Sequence, residues 1–106
     1  MRKQWKAHGL ICVVGHSPAG VLCGYVGVSE ISPLFGKGYY DLDFEVYGGL
    51  TYADSNKLNR DYPIKTESET WFFGFDSGHG IDLDEQTMKA QTELLAFQIA
   101  NYKMEE

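Results

Sequence analysis

The residues of this chain best equipped for chemistry lie in one stretch, Trp71 to Asp82, which reads WFFGFDSGHGID. Only Ser77, two glycines and Ile81 separate Asp76, His79 and Asp82, so a loop leaving a strand can bring two carboxylates and an imidazole together. That set suits a divalent cation or acid–base hydrolysis. Two of the three also have structural uses. Asp76, placed before Ser77-Gly78, can hold a turn through nearby backbone N–H groups. Asp82 followed by Glu85 resembles a capping box, with Asp84 as an alternative cap. Three roles stay open: chemistry, ligand contact without turnover, and structure alone. His79, flanked by glycines, is the member that packing explains least.

A second group is YGGLTY, Tyr47 to Tyr52. Glycines inside a strand cost ~0.5–1 kcal/mol each relative to Ala, and a bulge or a ligand lying against the bare backbone can offset that cost. Flat ligands stack on aromatic faces, worth ~1–3 kcal/mol per base. Lys37 sits between Gly36 and Gly38, but the spacing is not that of a phosphate-binding P-loop. It is either solvated or a point charge for an anion. His8 and His16 read as surface residues. Ser77 is not in a nucleophile elbow. Cys12 and Cys23 lie mid-strand, away from any helix N-terminus, and two cysteines cannot build a zinc ribbon. No metal and no cofactor is expected.

The elements that must position these groups follow from composition and pattern. With 106 residues, 43% hydrophobic, the chain is long enough for a single domain over residues 1–106 with its own core. Seven Tyr and six Phe supply much of that core, each able to bury ~150–250 Å². Residues 1–9 read as a polar lead-in, extended in conformation. Leu10–Val14 and Val21–Val28 read as a hairpin, the second strand bent or closely approached at its glycines. A symmetric hairpin sets Cys12 opposite Cys23, although a reducing cytosol favours two buried thiols over a disulfide. Phe44–Ala53 is a strand candidate interrupted at Gly48-Gly49, and residues 54–70 are expected to be a mobile loop. The unbroken apolar run Trp71–Phe75 suits a strand buried on both faces. Met88, Thr92, Leu95, Ile99 and Tyr102 recur at helical spacing, widened by Leu94 and Phe97, which predicts a helix over 84–104. The fold class is α+β: a small antiparallel sheet with one C-terminal helix packed on it.

Four segments, CGYVGV, PLFGKGY, VYGGLTYA and WFFGFDSGHGID, together resemble a family of small, largely uncharacterised proteins encoded in phages and prophages. The family's pattern is G-Y-V-x-V, H-P-x-x-G-K, V-H-G-G-L-T and W-W-x-G-F-D-C-x-H-x-x-D. The likeness spans about Leu22 to Asp82, with Lys37, Gly48, Gly49, Leu50, Thr51, Asp76, His79 and Asp82 at family positions. Ser32, Tyr47 and Ser77 stand where the family carries His, His and Cys. That loss weakens any metal site built on those residues. The resemblance implies a phage accessory protein, a class that includes binders of host-defence proteins and of nucleotide signals.

Function is therefore expected to be binding rather than turnover. The first expectation is an anti-defence module that sequesters a small nucleotide-like ligand. Tyr25, Phe35, Tyr39, Tyr47 and Tyr52 would shape its pocket, Gly48 and Gly49 would line it, and Lys37, Thr51, Asp76 and His79 would meet polar groups. The second is an acidic inhibitor of a host defence nuclease, docking through Asp41, Asp43, Glu45, Glu67 and Glu69. The third is a metal-assisted hydrolase with Asp76, His79 and Asp82 as catalytic residues. A net charge of −6 argues against direct nucleic-acid binding. The longest apolar run, Leu10–Val14, is too short for a bilayer, and it lacks the length and the small-residue cleavage pattern of a secretory signal. A cytoplasmic location in a bacterial host, no membrane partner and possible homo-oligomers through open sheet edges are expected.

Overall fold

The computed structural model describes residues 2–17, 20–55, 66, 69–78 and 83–102. Its elements are β1 (Arg2–Ala7), β2 (Leu10–His16), β3 (Leu22–Ser29), a single 3-10 turn at Tyr39–Asp41, β4 (Tyr52–Ser55), β5 (Thr70–Asp76) and α1 (Glu85–Ala100). The sheet order is β1-β2-β3-β5-β4, with every pairing antiparallel. The helix packs on one face, giving the expected two-layer α+β arrangement. No helix among the described residues is long and apolar enough to cross a membrane.

β5 lies between β3 and β4, and its apolar run is buried on both faces as its composition requires. Phe73 and Phe75 point to the helix side, joining Cys12, Val14, Val26 and Val28 against Met88, Leu95, Ala96 and Ile99. Phe72 faces the other way, with Val13, Cys23 and Tyr25. Gly24 is the point of closest approach. A Cβ there would stand 2.4 Å from the Thr92 hydroxyl oxygen, so a side chain on β3 is given up to let α1 lie close. Thr92 in turn donates its hydroxyl to the Met88 carbonyl at 2.7 Å, which satisfies the one polar group this buried helix face carries.

Three expectations are corrected and one is carried further. The extended lead-in is a full strand, β1, paired with β2 and joined to it through His8 (φ 52) and Gly9 (φ 78). Two consecutive left-handed residues make the tight turn whose twist suits a hairpin. Cys12 and Cys23 do not face each other. Ser17 and Val21 close the second hairpin, so Cys12 pairs across from Val26 and Cys23 from Gly15, on opposite faces of the sheet. Both thiols are free. The helix is capped by Asp84, the alternative cap, whose carboxylate accepts the Thr87 N–H at 2.7 Å, but it ends at Ala100 rather than at 104. Asp82 lies outside the described residues. Leu94 and Phe97 are 42% and 50% exposed, so they do not widen the buried stripe. Most of the expected 54–70 loop also lies outside the described residues, but its ends belong to β4 and β5.

Candidate functional site

Strand Phe44–Ala53 was the expected carrier of the glycine pair, yet only Tyr52–Ser55 joins the sheet. The physical reason is a turn. Gly48 and Gly49 both adopt positive φ (71 and 77), and the Gly49 N–H donates to the Val46 carbonyl at 2.9 Å. A positive φ at the third residue of such a turn favours glycine strongly. The cost that sequence reasoning assigned to a bulge or a ligand is thus absorbed by chain reversal.

The residues before this turn run along α1 as a strap. Its apolar side chains Leu42, Phe44 and Val46 pack against the helix-side core. Its backbone finds no strand partner here and is held by glutamines of the helix instead. Gln98 receives the Glu45 N–H on Oε1 (2.7 Å) and donates from Nε2 to the Glu45 carbonyl (2.9 Å). Gln91, two helical turns earlier, receives the Tyr47 N–H at 2.9 Å. The amide of Gln98 therefore satisfies both backbone groups of one residue, as a neighbouring strand would. Phe44 adds an edge-on contact with Tyr102 (5.9 Å).

Ahead of the strap, Phe35 packs on Trp71 (6.1 Å), and the Trp71 indole N–H donates to the Lys37 carbonyl at 2.9 Å. The Lys37 side chain is exposed. Tyr40 is 80% exposed, yet it is positioned: its ring lies over Gly38, where a Cβ would come within 2.7 Å, and it meets Tyr39 edge-on at 5.8 Å. Asp43 and Glu45 are exposed along the same stretch.

At the end of β5, Asp76 holds the turn as its position suggests. One carboxylate oxygen accepts the Gly78 N–H at 2.8 Å, and the other accepts the Thr51 hydroxyl at 3.1 Å. The Thr51 N–H donates to the Gly74 carbonyl. Both oxygens of Asp76 thus have structural uses. His79 and Asp82 lie outside the described residues, and no cluster of three or more metal-ligating side chains occurs among those described.

The expected ligand residues therefore fall into separate groups. Thr51 and Asp76 meet directly. Phe35 and Lys37 meet through Trp71, and Tyr47 is tied to α1. Tyr25 is elsewhere: it is buried on the face away from the helix, edge-on to Tyr52 at 5.4 Å, with its ring against Gly74. Phe35 packs on the opposite, helix-side cluster. The cysteines offer no nucleophile, because burial pushes the Cys12 thiol up to about 11 and raises that of Cys23.

Sequence reasoning missed a cleft of about 320 Å³ between β1 and the first half of α1, lined by Lys3, Gln4, Trp5, Val14, Glu85 and Lys89. The Trp5 N–H donates to Glu93 at 3.1 Å, Lys89 stands 5.6 Å from the ring centroid, and Lys3 pairs with Glu85. The available signal was Trp5 itself, the one large apolar residue in the otherwise polar stretch Arg2–Ala7. The chain matches no known family model, no curated protein and no solved structure.

Proposed function

We propose that this chain is an accessory binding protein of the phage and prophage kind, which docks an acidic, aromatic face on a basic surface of a host defence protein. The nucleic-acid channel of a nuclease is a surface of that kind. The observation that carries the reading is the Gln98 clasp on the backbone of Glu45. It leaves the side chains of Asp43 and Glu45 exposed on a backbone that is already fixed. Ordering the backbone of a flexible segment on binding costs ~1–2 kcal/mol per residue, and a strap whose backbone is held beforehand avoids part of that cost. Tyr40, exposed but seated over Gly38, supplies the kind of aromatic anchor in which interface centres are enriched.

Charge distribution supports the same reading. The segment Asp41–Glu45 carries three acidic residues and no basic one, whereas Arg2, Lys3 and Lys6 cluster on β1. An acidic face of this kind accelerates encounter with a basic partner and discriminates against acidic ones. Reversing Asp43 and Glu45 to Lys should slow association with such a partner at low salt by at least tenfold, while reversing Lys6 to Glu should not. An association rate unchanged by the double reversal would overturn the proposal.

A further inference from the structure

We propose that the cleft between β1 and α1 is a binding site for a small planar anion: a heteroaromatic ring bearing a phosphate or carboxylate. The site is independent of the acidic strap. Its volume, about 320 Å³, is at the small end of ligand pockets. Its wall is the Trp5 ring, half-buried and fixed in orientation by the hydrogen bond from its N–H to Glu93. A ring held in this way is a stacking platform, because it loses little freedom when a second ring settles on it.

Lys89 bears on the sign of the ligand. Glu85 is paired with Lys3, while Glu93 accepts the indole N–H, a neutral donor that orients the ring and leaves the carboxylate charge in place. Lys89 has no carboxylate partner among the described residues; its ammonium rests near the Trp5 ring, and its side chain is exposed. An anion entering the cleft gives Lys89 a charge-assisted hydrogen bond in place of a weak, solvent-screened cation–π contact. Lys3 can join it by releasing Glu85. Both members of that pair are exposed (62% and 39%), so the exchange costs little. The ring and the anion must be close together, as in a nucleoside monophosphate, because the cleft has no room for a dinucleotide and its second base.

The test is heteronuclear NMR titration of the full chain with AMP, adenosine and inorganic phosphate, each as a separate probe, following the Trp5 indole N–H resonance. AMP should shift that resonance saturably with a dissociation constant of ~1 mM or tighter. Adenosine and phosphate alone should bind at least about tenfold more weakly, because each offers only half of the recognition. Lys89→Gln, at an exposed position that leaves the fold intact, should weaken AMP about tenfold. Glu85→Gln should strengthen it roughly threefold by freeing Lys3. Three results would overturn the proposal: no shift with AMP, shifts that map to another part of the molecule, or equal binding of phosphate and AMP.

Discussion

Replacing Gln98 with Ala removes both side-chain hydrogen bonds to the strap, the one accepted from the Glu45 N–H and the one donated to the Glu45 carbonyl, together with a longer one donated to the Leu94 carbonyl of its own helix (3.2 Å). An intramolecular hydrogen bond contributes ~0.5–1.5 kcal/mol net. The freed Glu45 groups lie at the surface where water can reach them, so the low end applies and the pair is worth about 1 kcal/mol. Alanine is the better helix former by a few tenths of a kcal/mol, which offsets part of the global loss. Global stability should fall by roughly 0.5–1 kcal/mol, or about 2–8 °C in Tm for a domain of this size. Strap opening behaves differently, because α1 is helical in both the closed and the open state and the gain in propensity cancels. The full ~1 kcal/mol then appears in local opening, and the Glu45 amide should exchange about fivefold faster by native-state hydrogen exchange. Gln91→Ala, which removes only the bond from the Tyr47 N–H, should raise exchange at Tyr47 about twofold. Unchanged protection of the Glu45 amide in the Gln98 variant would refute the claim that this side chain fixes the strap.

Three further outcomes follow from the packing and the ionisable groups. Gly24→Ala places a methyl 2.4 Å from the Thr92 hydroxyl and 2.7 Å from the Phe75 ring, and should cost ~1–3 kcal/mol in chemical denaturation with an unchanged slope. Cys12 and Cys23 should resist thiol reagents at neutral pH until the chain unfolds, and an oxidant should not join them; mass spectrometry after iodoacetamide with and without urea checks both points. Hydrogen bonds from Thr87, first its side chain and then its backbone, hold the Asp84 carboxyl below its ordinary range. Its contribution is therefore complete above the unfolded carboxylate pKa of ~3.9 and lost as pH falls through the lower folded value. Asp84→Asn keeps a capping residue but removes this titration, so the acid limb of a stability–pH curve should flatten.

The parts of the fold that were legible in the sequence are those fixed by local pattern. Trp71–Phe75 is apolar throughout and becomes a strand buried on both faces. Met88, Thr92, Leu95 and Ile99 recur at helical spacing and become the buried face of α1. The failures have three different causes, and for the strap the deciding partner is remote in sequence. Phe44 and Val46 do alternate with Glu45 and Tyr47, as in a strand, but the backbone they belong to is satisfied by Gln91 and Gln98, roughly fifty residues on. β1 is polar because it is an edge strand whose lysines suit exposure, so hydrophobicity gave it no signal. The offset between Cys12 and Cys23 depends on where Ser17 and Val21 close the hairpin, which composition does not specify. At the candidate site, the Asp76 turn was legible from Asp-Ser-Gly alone. The separation of Tyr25 from Phe35 was not, because it depends on which face of β3 meets the helix.

The proposed docking face is tested most directly by capturing host proteins from bacterial cells on two baits, the wild-type chain and its Asp43→Lys/Glu45→Lys variant. Quantitative mass spectrometry would compare the two, and the association rate of each captured protein would then be followed against salt. A basic host protein should be retained by the wild type and lost from the variant, with an association rate that falls steeply as salt rises. Equal capture by both baits, or a rate indifferent to salt, would contradict the account.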